Sequence, residues 1–379
     1  MSDHASDFVL QAVSFDILEG WKDDDPSSLF EVMRSCHRQI TDVKPYRTGS
    51  LGLSSADLLP LLAAAENFTP SSPASARAFF EAHCRPFRIH RKDGNSGFVT
   101  AFYEPDIEVS DRPDEVFRFP FYRRPEDLID LDDANRPAEL DEAYAFGRLQ
   151  DGRIGAYPDR RAIEEGFLED RGLEIAWAKS KVDVFFVHVQ GAARLRYPDG
   201  RIGRITYAAK AGHPFSAIGK LLIDWAEIDR AEISMQTIRA WLTRNPDRAD
   251  EVLWHNRSYI FFRETPSQAL SLRPADPHTG PIAAAKVPLL AGRSLAVDRL
   301  IHTFGFPFFI RAESLTHLDH GRPFQRLMLA LDTGSAIVGP ARGDIFTGSG
   351  DVAGESAGTV RSDADFAILI PNAAAGRFD

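Results

Sequence analysis

A short apolar run that ends in an acidic, glycine-containing loop most constrains the fold of this 379-residue chain. Residues 327–331 are all apolar, Asp332, Thr333 and Gly334 follow at once, and Asp344 comes twelve residues after Asp332. A run of this length with a bounding glycine is typical of a buried strand. A carboxylate at its end lies at the boundary between core and solvent, where a carboxyl pKa shifts readily. We therefore place the candidate chemistry here.

One interpretation of this segment is an aspartic protease. Asp332-Thr333-Gly334 matches the active-site tripeptide of that class, in which two such loops face each other and share one proton. The chain contains a single copy. A monomeric protease would need a second copy in its other half, and a dimerising protease is usually a much shorter chain. This alternative requires peptide cleavage that Asp332→Asn abolishes.

A second interpretation rests on residues 354–358, which fit the G-x-S-x-G nucleophile elbow of esterases. That elbow needs an acid and then a histidine further along the chain. The 21 residues after Gly358 contain no histidine. We interpret this match as accidental.

The third interpretation takes residues 332–358 as one unit, with Asp298 upstream of it. Other short segments match the same pattern in one collinear order, namely residues 99–105, 120–125, 174–177, 186–191, 207–214, 218–220, 234–241 and 259–264. Together they resemble the membrane-bound lytic murein transglycosylase A family, whose three-aspartate region corresponds to Asp298, Asp332 and Asp344. Many short matches in sequence order are hard to obtain by chance.

The resemblance implies a mainly β fold with helices. It predicts a double-psi β-barrel catalytic domain made from residues 1–106 and 257–379. A second, smaller β domain, residues 107–256, is expected to be inserted between those parts and to form the other wall of a substrate cleft. The sequence pattern alone does not show this discontinuity.

The resemblance also implies the reaction, which is cleavage of the β-1,4 bond between N-acetylmuramic acid and N-acetylglucosamine in peptidoglycan. Most glycosidases use two carboxyl groups to protonate the leaving oxygen and to activate or replace water. By family chemistry the muramyl C6 hydroxyl replaces water and leaves a 1,6-anhydro ring, so one residue can act as acid and then as base. Family position gives that role to Asp344, with Asp332 in support and no cofactor. A pair of carboxylates at the separation of a water-using enzyme would instead favour hydrolysis.

Further side chains are candidates to bind the glycan strand. They are Asp298, Thr100, Tyr103, Glu104, Gln190, Gly191, Lys210, His213, Thr333, Gly334 and Gly348. Several have a structural alternative: Asp298 could cap a turn, Tyr103 and Glu104 could simply end a strand before a proline, and His213 could hold a loop. A runner-up function is a module that binds polysaccharide without cleaving it.

Composition agrees with an enzyme and excludes little else. The net charge of −11 argues against a nucleic-acid partner, and the expected partner is the peptidoglycan glycan strand. No apolar run approaches the roughly 20 residues of a membrane span, and residues 1–8 lack the pattern of a signal peptide. Relatives are exported, so a periplasmic or outer-membrane location, association with cell-wall complexes and a monomeric state follow from the resemblance only.

The cysteine and histidine patterns do not indicate a further functional site. Cys36 and Cys84 are the only cysteines, and they could pair or remain two buried thiols. His317 and His320 lack an obvious third ligand, so we expect no metal site. Local patterns predict helices at 28–40 and 234–245, a hairpin at 92–95 and a solvated loop at 124–141.

Overall fold

The computed structural model describes residues 7–265 and 279–378. Residues 1–6, 266–278 and 379 lie outside this part, including most of the opening segment considered above. The chain divides into two compact units, Met1–Tyr103 with Pro277–Asp379, and Glu104–Asp276. The second unit thus extends beyond the boundary at residue 256 expected from the sequence, since strand Ile260–Glu264 belongs to its sheet.

The regular elements are numbered in chain order. The strands are β1 Phe8–Ala12, β2 Cys84–Arg91, β3 Gly97–Glu104, β4 Asp106–Ser110, β5 Phe119–Tyr122, β6 Leu128–Asp130, β7 Phe146–Gln150, β8 Arg153–Gly155, β9 Glu174–Ala178, β10 Ala192–Arg196, β11 Ile202–Lys210, β12 Ile260–Glu264, β13 Thr279–Ile282, β14 Pro288–Leu290, β15 Ser294–Val297, β16 Pro307–Ala312, β17 Phe324–Asp332, β18 Arg342–Ser349 and β19 Arg361–Pro371. The α-helices are α1 Leu29–Arg38, α2 Ser55–Glu66, α3 Pro73–His83, α4 Arg160–Ala162, α5 Lys181–Gln190, α6 Ile218–Asp224, α7 Met235–Arg244, α8 Pro246–His255, α9 Asp351–Ala357 and α10 Asn372–Ala375.

Six strands of the first unit close into a barrel. The order is β3, β19, β16, β17, β15 and β18, and β18 pairs again with β3. The β15/β17 pair is parallel, whereas β16 pairs antiparallel with both β17 and β19. Strands β2 and β1 extend the sheet beyond β19. The expectation of a mainly β fold with helices, in which a second β domain is inserted into a β-barrel, is confirmed, and the structure shows that the barrel has six strands.

The barrel core explains why its strands read as near-continuous apolar runs. Residues 327–331 of β17 are fully buried, as are Phe308 and Ile310 of β16. Helices α1 and α2 cover part of this core through Phe30, Met33 and Leu62. Strands that are covered on both faces carry apolar residues at successive positions rather than at alternate ones. The predicted strand before Asp332 is therefore present and buried.

The second unit contains a six-stranded sheet, a three-stranded sheet and a group of helices. The larger sheet has the order β12, β11, β10, β4, β9 and β5, and β6, β7 and β8 form the smaller one. Helix α5 packs Val184 and Val187 against the larger sheet, while its Phe185 and Phe186 pack against α6, α7 and α8. In the described part of the chain, no helix is both long and apolar enough to cross a membrane.

Two local predictions need correction. A turn does follow β2, but β2 and β3 do not pair as a hairpin, because both pair with different parts of the eleven-residue strand β19. The predicted loop at 124–141 includes the short strand β6, which pairs with β7. Leu128 of β6 is buried together with Phe146 of β7, and this apolar contact fixes the strand. The helices predicted at 28–40 and 234–245 are present as α1 and α7.

Candidate active site

One short barrel strand brings the two aspartates of the candidate site together. Ala296 of β15 pairs with Asp332 of β17 on one side and with Asp344 of β18 on the other. Neighbouring strands lie about 4.8 Å apart, so the two aspartate backbones are on the order of 10 Å apart across β15. The two carboxyl groups are close enough that the charge of Asp344 raises the pKa of Asp332.

Asp344 is half-buried and belongs to a chain of hydrogen bonds. The hydroxyl of Thr100 on β3 donates to Asp344 Oδ1, and Arg342 Nη2 donates to Thr100 Oγ1 at 2.7 Å. Burial raises the pKa of Asp344, while the Thr100 hydrogen bond and the charge of Arg342 oppose that rise. The net direction is upward, so the carboxyl retains its proton to a higher pH than an exposed aspartate does.

Asp332 is half-buried at the end of β17. Its Oδ1 accepts a hydrogen bond from the Ala284 backbone N–H at 3.1 Å. Burial raises the pKa of Asp332 from 3.8 to about 6, and the charge of Asp344 adds to that rise; backbone hydrogen bonds from Ala284 and Thr333 and the charge of Lys286 oppose it. Two neighbouring carboxyls with raised pKa values form a site that can hold and transfer a proton near neutral pH.

Asp298 holds the loop that joins the two aspartate strands. It is buried, its Oδ1 accepts from Leu300 N at 2.9 Å and its Oδ2 accepts from Gly339 N at 2.7 Å. His302 is also buried, and its Nε2 lies 2.8 Å from the carbonyl oxygen of Pro340. Burial lowers the pKa of His302 to about 4, so this contact is a hydrogen bond donated by a neutral imidazole. The turn-capping alternative for Asp298 thus has direct geometric support.

Thr333 and Gly334 open the loop between the aspartate strands, and Gly348 lies near the end of β18. The Thr333 hydroxyl donates to the Val297 carbonyl oxygen at 2.9 Å, which fastens the loop to β15. Gly334 opens a turn in which its carbonyl accepts from Ile337 N at 2.9 Å. Gly348 has φ of 127°, a backbone conformation that favours glycine. These contacts explain the three residues as parts of the scaffold that surrounds the aspartates.

Tyr103 and Glu104 end β3 and are both buried. The ring of Tyr103 packs on Gly354 so closely that a Cβ there would lie 2.6 Å from Tyr103 Cε2. Glu104 forms an ion pair with Arg204, with Oε1 2.6 Å from Nε and Oε2 2.9 Å from Nη2. Packing and charge pairing therefore account for both side chains within the protein itself.

Four further candidates belong to the second unit. Gln190 ends α5, and Gly191 caps it with φ of 79°, where an added Cβ would meet no atom within 4 Å. Lys210 is half-buried, and burial lowers its pKa. His213 is buried, with Nδ1 3.1 Å from the Tyr144 hydroxyl and Nε2 2.7 Å from the Tyr157 carbonyl oxygen. Both ring nitrogens of His213 are thus engaged, which favours the loop-holding alternative.

The structure gives less support to an esterase, an aspartic protease or a metal site. Ser356, the serine of the G-x-S-x-G match, lies within α9 and donates to the Val352 carbonyl oxygen at 3.1 Å, as a helical serine does. Asp332 faces Asp344 rather than a second Asp-Thr-Gly loop. Within residues 7–265 and 279–378 no group of three His, Cys, Asp or Glu side chains is arranged to hold a metal ion.

The sequence interpretation gave no role to Arg342 or His302. Arg342 and Asp344 are two residues apart on β18, and alternation along a strand places such residues on one face. That spacing was a usable signal for a cation beside the acid. His302 had no such signal, since its contact with Pro340 spans 38 residues of sequence.

The interrupted β-barrel matches a known family of proteins. Two family models match the chain, the MltA specific insert domain over residues 98–263 and the 3D domain over residues 293–370. The 3D domain match includes Asp298, Asp332 and Asp344. The insert-domain match covers most of the second unit.

Similar proteins agree with these matches. The crystal structure of a membrane-bound lytic murein transglycosylase from Agrobacterium tumefaciens is 62% identical, with a TM-score of 0.92, and the match covers 98% of this chain and all of that one. The crystal structure of MltA from Neisseria gonorrhoeae is 31% identical, with a TM-score of 0.74 and coverage of 96% and 93%. Membrane-bound lytic murein transglycosylase A of Vibrio cholerae is 30% identical over 70% of this chain and 63% of its own length.

The chain therefore belongs to the membrane-bound lytic murein transglycosylase A family. The alignment to the Vibrio protein spans less than two thirds of that protein's length.

Proposed function

We propose that this protein is a lytic transglycosylase that cleaves peptidoglycan strands between N-acetylmuramic acid and N-acetylglucosamine without using water. The observation that carries this proposal is the Arg342–Thr100–Asp344 hydrogen-bond chain on a carboxyl whose pKa is raised by burial. Family membership supports the substrate class, since the relatives are named as lytic murein transglycosylases.

In the first step Asp344 acts as the general acid. Its carboxyl proton passes to the oxygen that bridges the two sugars, the bond from that oxygen to the muramyl C1 breaks, and positive charge develops at C1. The Thr100 hydroxyl occupies Asp344 Oδ1. Oδ2 is then the oxygen left to carry the acidic proton. Arg342 donates to Thr100, so the hydroxyl hydrogen must point toward Asp344.

In the second step Asp344 acts as the base. Its carboxylate takes the proton of the muramyl C6 hydroxyl while the C6 oxygen bonds to C1, which closes the 1,6-anhydro ring. The proton lost in the first step is regained, so no cofactor and no water molecule is consumed. The ionised form of Asp344 between the steps is stabilised by the Thr100 hydrogen bond and the Arg342 charge. Asp332, on the other side of β15, supplies negative charge toward C1 when it is ionised.

Hydrolysis is a second candidate, because two neighbouring carboxyls on either side of one strand could also position a water molecule. A binding module without catalysis is a third. Mass spectrometry of digested peptidoglycan separates them. We expect the wild type to give 1,6-anhydromuramyl ends and Asp344→Asn to give none. Reducing-end products would indicate hydrolysis, and binding without any product from the wild type would indicate the module.

A further inference from the structure

Two arginine side chains of the first unit lie together without a carboxylate partner. Arg299 Nη2 donates to the backbone carbonyl oxygen of Arg47, and Arg47 is exposed. In residues 7–265 and 279–378, neither guanidinium forms an ion pair with an acidic side chain. By contrast, many other arginines of the protein are paired, Arg293 with Asp24 and Arg326 with Asp319 among them. Burial lowers the pKa of Arg299, and the nearby charge of Arg47 adds to that effect.

Arg299 is held in a fixed orientation. Its Nη1 donates to the His302 carbonyl oxygen at 3.2 Å, and its guanidinium carbon lies 4.8 Å from the centre of the Phe304 ring. A guanidinium has more N–H donors than these carbonyls use, so donors remain for a further acceptor. A planar, pre-oriented cation with spare donors suits a carboxylate better than it suits a neutral hydroxyl.

This cationic pair lies beside the candidate active site. Arg299 follows Asp298, which binds the loop between the two aspartate strands through Gly339. It is three residues beyond Ala296, the residue that pairs with both Asp332 and Asp344. Three residues span at most about 10 Å even when fully extended, and a turn at residues 298–301 brings Arg299 within that distance of Ala296. That distance matches the reach of a short peptide attached to the sugar that is being cleaved.

Two exposed apolar side chains adjoin the pair. Leu300 is 60% exposed and Val338 is 63% exposed. The backbone nitrogen of Leu300 and that of Gly339, the neighbour of Val338, both donate to the carboxylate of Asp298. This surface therefore combines two cations with apolar groups. The stem peptide of peptidoglycan has the complementary chemistry, methyl groups close to the sugar and carboxylates beyond them.

We infer that Arg47 and Arg299 form a subsite for a stem-peptide carboxylate, with Leu300 and Val338 contacting the methyl groups near the muramyl ring. This inference rests on the proposed function for its choice of ligand. It predicts that the protein distinguishes peptide-bearing glycan strands from strands that have been stripped of their stems.

The test is equilibrium binding of two kinds of glycan strand, one with its peptide stems and one from which an amidase has removed them. Binding to Asp344→Asn protein is compared with binding to Asp344→Asn protein that also carries Arg47→Gln. We expect Arg47→Gln to weaken binding of peptide-bearing strands about tenfold, the effect of losing one charge-assisted hydrogen bond, and to leave binding of stripped strands unchanged. Arg322→Gln is the matched control, because Arg322 is an exposed arginine already paired with Asp319. Arg299→Lys keeps the charge but loses the planar fork, and we expect a smaller loss.

Equal weakening for both kinds of strand, or no weakening for either, would overturn the inference. The readout is binding, so it is separable from catalysis. If the wild type formed no anhydro ends while Arg47→Gln still lowered binding of peptide-bearing strands alone, the proposed reaction would fail and the subsite would stand.

Discussion

Burial controls the protonation of both site aspartates at the scale of single residues. The carboxyls of Asp332 and Asp344 lie partly buried among the apolar residues of the barrel strands. This burial raises the pKa of each. Thr100 and Arg342 limit the rise for Asp344, which keeps its ionised form accessible between the two proposed steps. Activity that needs protonated Asp344 should fall as the pH rises through its pKa.

The raised pKa of Asp332 leads to a prediction about stability. The unfolded carboxyl loses its proton near pH 3.8 and the folded one near 6, so rising pH disfavours folding between these values and the penalty is complete above them. About 1.4 kcal/mol per pKa unit gives a penalty on the order of 3 kcal/mol. Asp332→Asn should therefore raise the free energy of unfolding at neutral pH and change it little near pH 4. Urea unfolding at both pH values measures this, and an equal change at both would contradict it.

Thr100 is the positioning residue whose role can be isolated most cleanly. Thr100→Val keeps the shape of the side chain but removes the hydrogen bond to Asp344 Oδ1. We expect kcat to fall about ten- to a hundredfold with little change in KM. The alkaline limb of the pH profile should shift upward, because that bond lowers the pKa of Asp344.

Thr100→Ser is the control for this change, since serine restores the hydroxyl. A merely structural role for Thr100 would leave the position of the alkaline limb unchanged in both variants.

At the scale of elements, the arrangement of the site depends on β15 and on the loop that joins its two neighbours, β17 and β18. β15 sets the spacing of the aspartates through Ala296, and Asp298 at its end fastens the loop at Gly339. By clamp we mean the two hydrogen bonds from the backbone N–H groups of Leu300 and Gly339 to the Asp298 carboxylate. This clamp orders the loop between Asp332 and Asp344, and it does so without any contact between Asp298 and substrate.

Asp298→Ala tests that clamp. The change leaves the backbone N–H groups of Leu300 and Gly339 without their acceptor, at a cost of about 1–3 kcal/mol for each that stays buried. We expect a lower melting temperature and a lower kcat together. An increase in KM with unchanged melting temperature would show instead that Asp298 contacts substrate.

At the scale of the whole molecule, the two cysteines give a simple check of the core. Cys36 and Cys84 are buried and unpaired, so the alternative of a disulfide is excluded. Burial raises the pKa of the Cys36 thiol to about 12. We expect a thiol-alkylating reagent to modify neither cysteine in the native protein and both in denaturant, with the same melting temperature in the presence and absence of reductant. Rapid native labelling would contradict this packing.

More of the barrel than of the candidate site could be predicted from the sequence. The apolar run before Asp332 predicted its buried strand because a strand covered on both faces leaves a local composition signal. The partners of Asp344 and Asp298 could not be read in the same way, since Thr100 lies 244 residues from Asp344 and Gly339 lies 41 from Asp298. The hairpin prediction at 92–95 was wrong for the same reason, because a distant strand, β19, offered better pairing than the local neighbour. Local patterns specify elements, and long-range pairing specifies sites.

The central claim is that the substrate's own C6 oxygen, and not water, takes the place of the bridging oxygen at the muramyl C1. The most direct measurement is mass spectrometry of peptidoglycan fragments released in water enriched in heavy oxygen. We predict wild-type products with anhydro ends that carry no heavy oxygen, and no products from Asp344→Asn. Heavy oxygen at the muramyl C1 of wild-type products would show that water is the acceptor and would contradict the account.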